Sequence, residues 1–338
     1  MKKMFFALAA LVLAFTGCSQ EEDAIQVSEK KAVKVVVNMD KPGFGEDTRA
    51  ARQGWEGDEE VVVVLGNYFG AYVHLYYEYY SREWQASYYK YDGEEFYAIY
   101  AHKVSEFIGN LKTELGDSGN LKAIYLSSGE VYAENGDSTP ATRASNPEQD
   151  VTLLADVPET LSIVSNAVVI FEEGEGECIM TCEDGSFEIS GNEEDGYVLA
   201  LNIMMVPQVA QFTIRHSNPI DMSHEVLCVG GALTAYCGAT LTSEGFVLNA
   251  AELDEFYNCW PHANEDGVSI YASPWTESKD GIEKGTFKFG YWNDEGPAYS
   301  YIRTFTGKTE LENGDAVIMD GPFIAGGESK WSSWPNEE

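Results

Sequence analysis

Five histidines, six cysteines and 56 carboxylates give this 338-residue chain the side chains for catalysis or metal binding, so their spacing decides whether either is built. His74, His102, His216, His224 and His262 are scattered, and neither His-x3-His nor His-Glu-x2-His occurs, which removes the usual helical zinc pairs. Gly116-Asp117-Ser118-Gly119 looks like a serine-nucleophile motif, but it follows a helical pattern and runs into Asn120, so it reads as a turn. No Gly-x-Ser-x-Gly elbow and no phosphate loop is present. The acidic run Asn192-Glu193-Glu194-Asp195-Gly196 lacks the Asp-x-Asp-x-Asp-Gly order of a calcium loop and reads as a solvated turn. No pair of carboxylates stands out for acid–base work. The expectation is a protein that is not an enzyme, with no cofactor and no metal.

Two positions invite covalent processing instead. Met1-Lys2-Lys3 followed by the apolar run Met4 to Phe15 reads as a secretory signal, too short for the roughly 20 residues that span a bilayer. It ends in Ala14-Phe15-Thr16-Gly17-Cys18, which resembles a bacterial lipobox. That resemblance implies cleavage before Cys18 and its acylation, so that outer-membrane lipid holds the chain; acyl chains anchor at about 0.8 kcal/mol per buried CH2. The second position is Arg49, in the polar connector Thr48-Arg49-Ala50, where a single arginine in a flexible stretch is open to proteolysis.

With Cys18 set apart, Cys178, Cys182, Cys228, Cys237 and Cys259 are an odd number, so an exported form keeps at least one unpaired thiol. Cys228 and Cys237 suit a bridge across a hairpin, and Cys178 with Cys182 one only if their backbones approach closely. Cys-x3-Cys and a distant Cys259 with His262 are poor zinc spacings, and buried, reduced cysteines are expected. Net charge is −35, and two units more negative once Lys2 and Lys3 leave with the signal. Such a charge repels phosphate backbones and excludes nucleic acid as a partner.

The elements that would position these residues are mostly strands. Residues 32–40 alternate, with Val33, Val35, Val37 and Met39 on one face. Beyond the connector, Val61 to Leu65 is an unbroken apolar run that suits a strand covered on both faces. Residues 68–100 hold 14 aromatics, 11 of them tyrosine, with Tyr72–Tyr80 and Trp84–Tyr91 forming a hairpin around Ser81-Arg82-Glu83 and Asp92-Gly93 a second turn. These rings have two readings: a sandwich core with hydroxyls at the rim, or an exposed platform in which Tyr76, Tyr79, Trp84 and Tyr88 contact a host or bacterial glycan or protein. Val104, Phe107, Ile108, Leu111 and Leu115 follow helical spacing to a stop at Gly116.

Polar residues 134–150, with Pro140 and Pro147, read as a linker. After it come strands at Glu177–Glu183 and Ser186–Ser190 about an Asp184-Gly185 hairpin, then Tyr197–Val206, Gln208–His216, Leu233–Leu241, Gly285–Trp292, Ala298–Phe305 and Asp315–Met319. Asn249 with Glu252 forms a capping box for a second helix reaching about Cys259. The organisation expected is a signal at 1–17, an acidic tether at 18–31, an N-terminal β-sandwich at 32–133, the linker at 134–150 and a C-terminal β-sandwich at 151–338.

The lipobox, the acidic cluster Glu21-Glu22-Asp23 after it, the first strand, Thr48-Arg49-Ala50 and Trp55-Glu56-Gly57-Asp58 before a valine-rich strand together resemble the fimbrillin-like family of Bacteroides-type surface lipoproteins. Gln149 to Ala155 and Leu311 to Ile318 are similar to later segments of that family. The long tyrosine-rich hairpin, the second Thr142-Arg143-Ala144 and the extra cysteines depart from it. The resemblance implies a mainly β fold of two tandem transthyretin-like β-sandwich domains, here with one or two short helices. It implies cutting between Arg49 and Ala50, departure of the strand bearing Val33, Val35, Val37 and Met39, and its replacement by a strand from another fimbrial subunit or a second copy. It further implies a surface-exposed, outer-membrane lipid-anchored fimbrial subunit or adhesin. A glycan-binding lipoprotein and an inhibitor or scaffold are the other readings.

Overall fold

The computed structural model describes residues 33–45, 55, 59–93, 95–126, 130–133, 167–170, 179–215, 226–250, 257–259, 262–264, 267–293, 296–304, 311–320 and 324–325, and the strand counts below refer to these. Cys18, Arg49, Ala50, the tether and the linker at 134–150 lie outside them.

The chain is mainly β. Its elements through the middle are β1 (Lys34–Asp40), β2 (Glu60–Leu65), β3 (Ala71–Glu78), β4 (Glu83–Tyr91), β5 (Phe96–Ala98), helix α1 (Val104–Leu115), β6 (Ser118–Leu126), β7 (Glu130–Ala133), β8 (Ala167–Ile170), β9 (Met180–Asn192) and β10 (Gly196–Met204). One nine-stranded sheet runs β1-β10-β9-β6-β2-β3-β4-β5, with Val206–Pro207 also paired to β9. The sheet curls, bringing β1 near β4 at its far side. It therefore carries strands from both sides of the segment 134–150.

Both faces of this sheet are covered, which is why β2 is buried along its whole length. Val61, Val63 and Leu65 face one core with Phe107, Ile108 and Leu111 of α1 and with Leu199, Leu201 and Ile203 of β10. Val62 and Val64 face a second core with Val169, Leu241 and Phe246. Those last residues belong to a four-stranded sheet of Gly245–Ala250, Tyr236–Thr242, β8 and β7, so the two sheets form a sandwich. Two five-stranded sheets hold most later strands, and Phe212 and Phe287 meet between them with ring centroids 5.1 Å apart.

The helix at Val104–Leu115 buries Phe107, Ile108 and Leu111 as its spacing predicts, and Gly116 ends it at φ 87°. The hairpin over 72–91 and the turn at Asp92-Gly93 also form, the latter closed by the Glu95 N–H donating to Asp92 Oδ1 at 2.9 Å.

Three expectations are corrected. Asp184-Gly185 is not a hairpin turn, because β9 runs unbroken from Met180 to Asn192 and takes up an extra residue between Cys182 and Gly185, opposite Leu121 and Ala123 of β6. The helix expected from Asn249 is not there at either end: Gly245–Ala250 and Tyr257–Cys259 are strands. Pairing of Gly245–Ala250 with Tyr236–Thr242 satisfies that backbone and buries Phe246, so tertiary pairing overrides the local capping signal. Finally, Cys237 is a free, exposed thiol, which removes the bridge to Cys228, while Cys182 is free and buried as expected of a reduced core cysteine.

Candidate functional site

The site is built on β1 and the connector that follows it. β1 sits at one edge of the nine-stranded sheet, with β10 as its hydrogen-bonded neighbour. Its pairing is parallel, Val35 opposite Leu199, Val37 opposite Leu201 and Met39 opposite Ile203, whereas the sheet's other pairs are antiparallel. Alternation does the rest. Met39 is buried, Val33, Val35 and Val37 are half-buried against the same core, and Val36 is 42% exposed on the other face. Asn38 Nδ2 donates to Asn202 Oδ1 at 3.2 Å on that outer face.

The inward stripe continues past the strand. Residues 33, 35, 37 and 39 are apolar, and the next position of the same parity is Lys41. Its Nζ lies 3.2 Å from Glu59 Oε1, 5.3 Å from the Trp55 ring centroid and 5.6 Å from that of Tyr125. Glu59 is only 5% exposed, because it precedes β2 on the face that continues through Val61, Val63 and Leu65. Trp55 is fixed in turn by Trp84, edge-on at 4.8 Å, and by Tyr77 and Tyr125, each at 6.3 Å. Lys41 and Trp55 thus close the two ends of the interval that contains Arg49. On the Lys41 side, Phe44 packs on Tyr271 at 5.2 Å and the Gly45 N–H donates to the Gly314 carbonyl at 2.9 Å. Gly45 has φ 96°, and a β-carbon there would crowd Ala316 at 3.2 Å.

The four aromatic residues nominated for glycan contact do not meet. Tyr88 is buried against Phe107 of α1, and Trp84 is half-buried beside Trp55 on the same face. Tyr76 lies on the opposite face of β3, and Tyr79 stands at the hairpin tip, 53% exposed. The core reading therefore describes most of these rings: Tyr72 and Tyr89 stack at 4.6 Å inside the second core.

No family model matches the chain, and no curated protein matches it. Among solved structures it is similar to a proposed cell adhesion protein from Bacteroides thetaiotaomicron, at 9% identity and TM-score 0.33, covering 88% of this chain and 98% of that one. It is also similar to a proposed adhesin from Bacteroides ovatus, at 10% identity and TM-score 0.32, covering 87% and 91%. A fimbrial protein from the same species is similar at 9% identity and TM-score 0.30, covering 86% of this chain and 48% of that one.

At the hairpin tip, Tyr80 is 89% exposed and its ring stands at right angles to Tyr79, 5.3 Å away. The tip is braced. Glu78 accepts the N–H groups of Tyr80 and Ser81, and these bonds, with the Ser81 hydroxyl foremost, hold its carboxyl below the usual range. Arg82, at φ 58°, lies over Tyr79 at 5.0 Å and donates to the Trp55 carbonyl at 3.4 Å. No chemical motif marks Lys41, Glu59 and Trp55 in the sequence; the one signal toward them is that the period-2 stripe of residues 33–39, carried one step further, reaches Lys41.

Proposed function

We propose that the chain is a cell-surface fimbrial subunit or adhesin, lipid-anchored through Cys18, that assembles by exchanging its first strand. The observation that carries this reading is the position of β1: an edge strand on one parallel ladder whose inward side chains complete a core. Parallel pairing is the slightly weaker geometry. Full burial of a Val or Met side chain is worth roughly 1.5–3 kcal/mol, so one buried and three half-buried chains amount to several kcal/mol. That is a large share of the ~5–15 kcal/mol that holds a domain together, so the edge is costly to leave empty. Loss of β1 would uncover Leu199, Leu201 and Ile203 together with the unpaired backbone of β10, a surface that accepts an extended strand.

Cleavage after Arg49 frees this strand while Trp55 and everything after it stay with the body. The test is limited digestion of the full chain with a trypsin-like protease, in an Arg143→Ala background that removes the second Thr-Arg-Ala. Release of the segment ending at Arg49, followed by multimers that resist dilution, is expected, and Arg49→Ala combined with Arg52→Ala, which removes the other arginine of the connector, should abolish both. A trimmed chain that remains monomeric overturns the reading.

A second reading is favoured by the braced tip at Tyr79 and Tyr80: contact with a surface glycan. Affinity electrophoresis in polysaccharide gels tests it, with Tyr80→Ala expected to lose any retardation and Trp84→Ala to keep it.

A further inference from the structure

The Lys41 ammonium lies among Glu59, Trp55 and Tyr125, and the processing bond divides this arrangement unequally. Lys41 belongs to the departing segment. The buried carboxylate and the two rings belong to the body. We infer that Glu59, Trp55 and Tyr125 form a lysine-recognition pocket that selects which strand replaces β1. This inference rests on the strand-exchange reading above.

Three observations support it. Ion and rings converge on one atom, Lys41 Nζ, in the manner of an aromatic cage, where cation–π attraction strengthens as the cation is desolvated. The side chains of Lys41 and Glu59 keep only 12% and 6% of their exposure, so the pair lies well out of water. A carboxylate placed there loses its Lys41 partner when β1 leaves, and a neutral replacement does not restore it. Lys34 of the same strand lies on the exposed outer face, so what sets Lys41 apart is its place at the end of the inward stripe.

The pocket therefore dictates a pattern for its occupant: aliphatic residues at three or more alternating positions, then lysine or arginine at the next inward position. In this chain that pattern occurs once, at 33–41. A second copy meets it only by swapping its own first strand. The occupant we assign is accordingly that strand, residues 33–41, of a second copy of this chain.

The experiment uses the full chain nicked between Arg49 and Ala50, with the cut segment still bound, and labelled peptides corresponding to residues 30–49. One peptide has the native sequence and the other carries Lys41→Gln. Uptake is followed by fluorescence anisotropy and by mass spectrometry of the displaced segment. The glutamine peptide should bind about tenfold or more weakly than the native one. On Glu59→Gln protein, and separately on Trp55→Leu protein should the buried substitution prevent folding, that difference should shrink to within about threefold. Equal uptake of the two peptides by the native chain overturns the pocket and leaves strand exchange standing. Failure of every peptide to enter, the native one included, overturns strand exchange, and the pocket's selective role falls with it.

Discussion

The side chain of Leu121 occupies the space that Gly185 leaves open. A β-carbon built on Gly185 would overlap Leu121 Cδ1 and lie 2.9 Å from Leu121 Cγ, while Leu121 itself is fully buried. This contact sits at the bulge between β6 and β9, in the middle of the sheet that carries the candidate site. Gly185→Ala should therefore cost about 1–3 kcal/mol through overpacking. A urea titration checks it, and an unchanged midpoint would show that the bulge relaxes freely.

Lys122 joins the two sheets of the first sandwich. Its Nζ donates to the Thr242 carbonyl at 3.1 Å, to the Ser243 carbonyl at 2.5 Å and to Asn67 Oδ1 at 3.2 Å, with the residue only 8% exposed. Lys122→Met keeps the stem but withdraws a charged donor from two backbone acceptors. The expected loss is about 2–4 kcal/mol in a chemical denaturation series, with faster hydrogen exchange at the 242–245 turn.

Alternation along β1 can be tested by charge. Met39→Asp puts a carboxylate into the first core and should destabilise the chain by about 3 kcal/mol or more. Val36→Asp, on the outer face, should change stability by no more than about 0.5 kcal/mol. If the two are equally disruptive, the observed register with β10 is wrong.

The Tyr88 hydroxyl is buried and has no hydrogen-bond partner among the described residues. Burial also pushes its pKa well above the ordinary 10.0. The folded value is thus higher than the unfolded one, so the associated stability is intact below pH 10 and is lost as the pH rises beyond it. Tyr88→Phe removes an unsatisfied polar atom. At pH 7 it should leave stability unchanged or raise it by up to about 1 kcal/mol, and it should flatten the alkaline decline seen in thermal melts at increasing pH.

Thiol accessibility separates two cysteines. Burial raises the Cys182 thiol above its ordinary value, and the residue is 1% exposed, whereas Cys237 is exposed beside the carbonyls of Asn249 and Ala250. Iodoacetamide at pH 8 should label Cys237 in the folded chain and leave Cys182 untouched until denaturant is added, as read by peptide mapping.

Local physics made much of this protein legible in the amino-acid sequence. A period of two exposes the inward stripe of residues 33–39, a period near 3.6 with a terminal glycine delimits Val104–Leu115, and Asp-Gly at 92–93 marks a turn. Asp184-Gly185 carries the same local signal and is nonetheless mid-strand, because the glycine there answers to Leu121 across the sheet and not to its own neighbours. Asn249 likewise signals a cap but lies in a strand whose partner begins at Tyr236. Strand order is beyond such signals altogether. Backbone hydrogen-bonding groups are alike in every residue, so nothing in 34–40 by itself names 198–204 as its parallel partner. The same holds at the candidate site: alternation gave the inward face of residues 33–39, but only folding carried that face on to Lys41 and brought Glu59, Trp55 and Tyr125 around its ammonium. A side chain's direction is set by its own backbone, whereas its partner is set by the packing of distant strands.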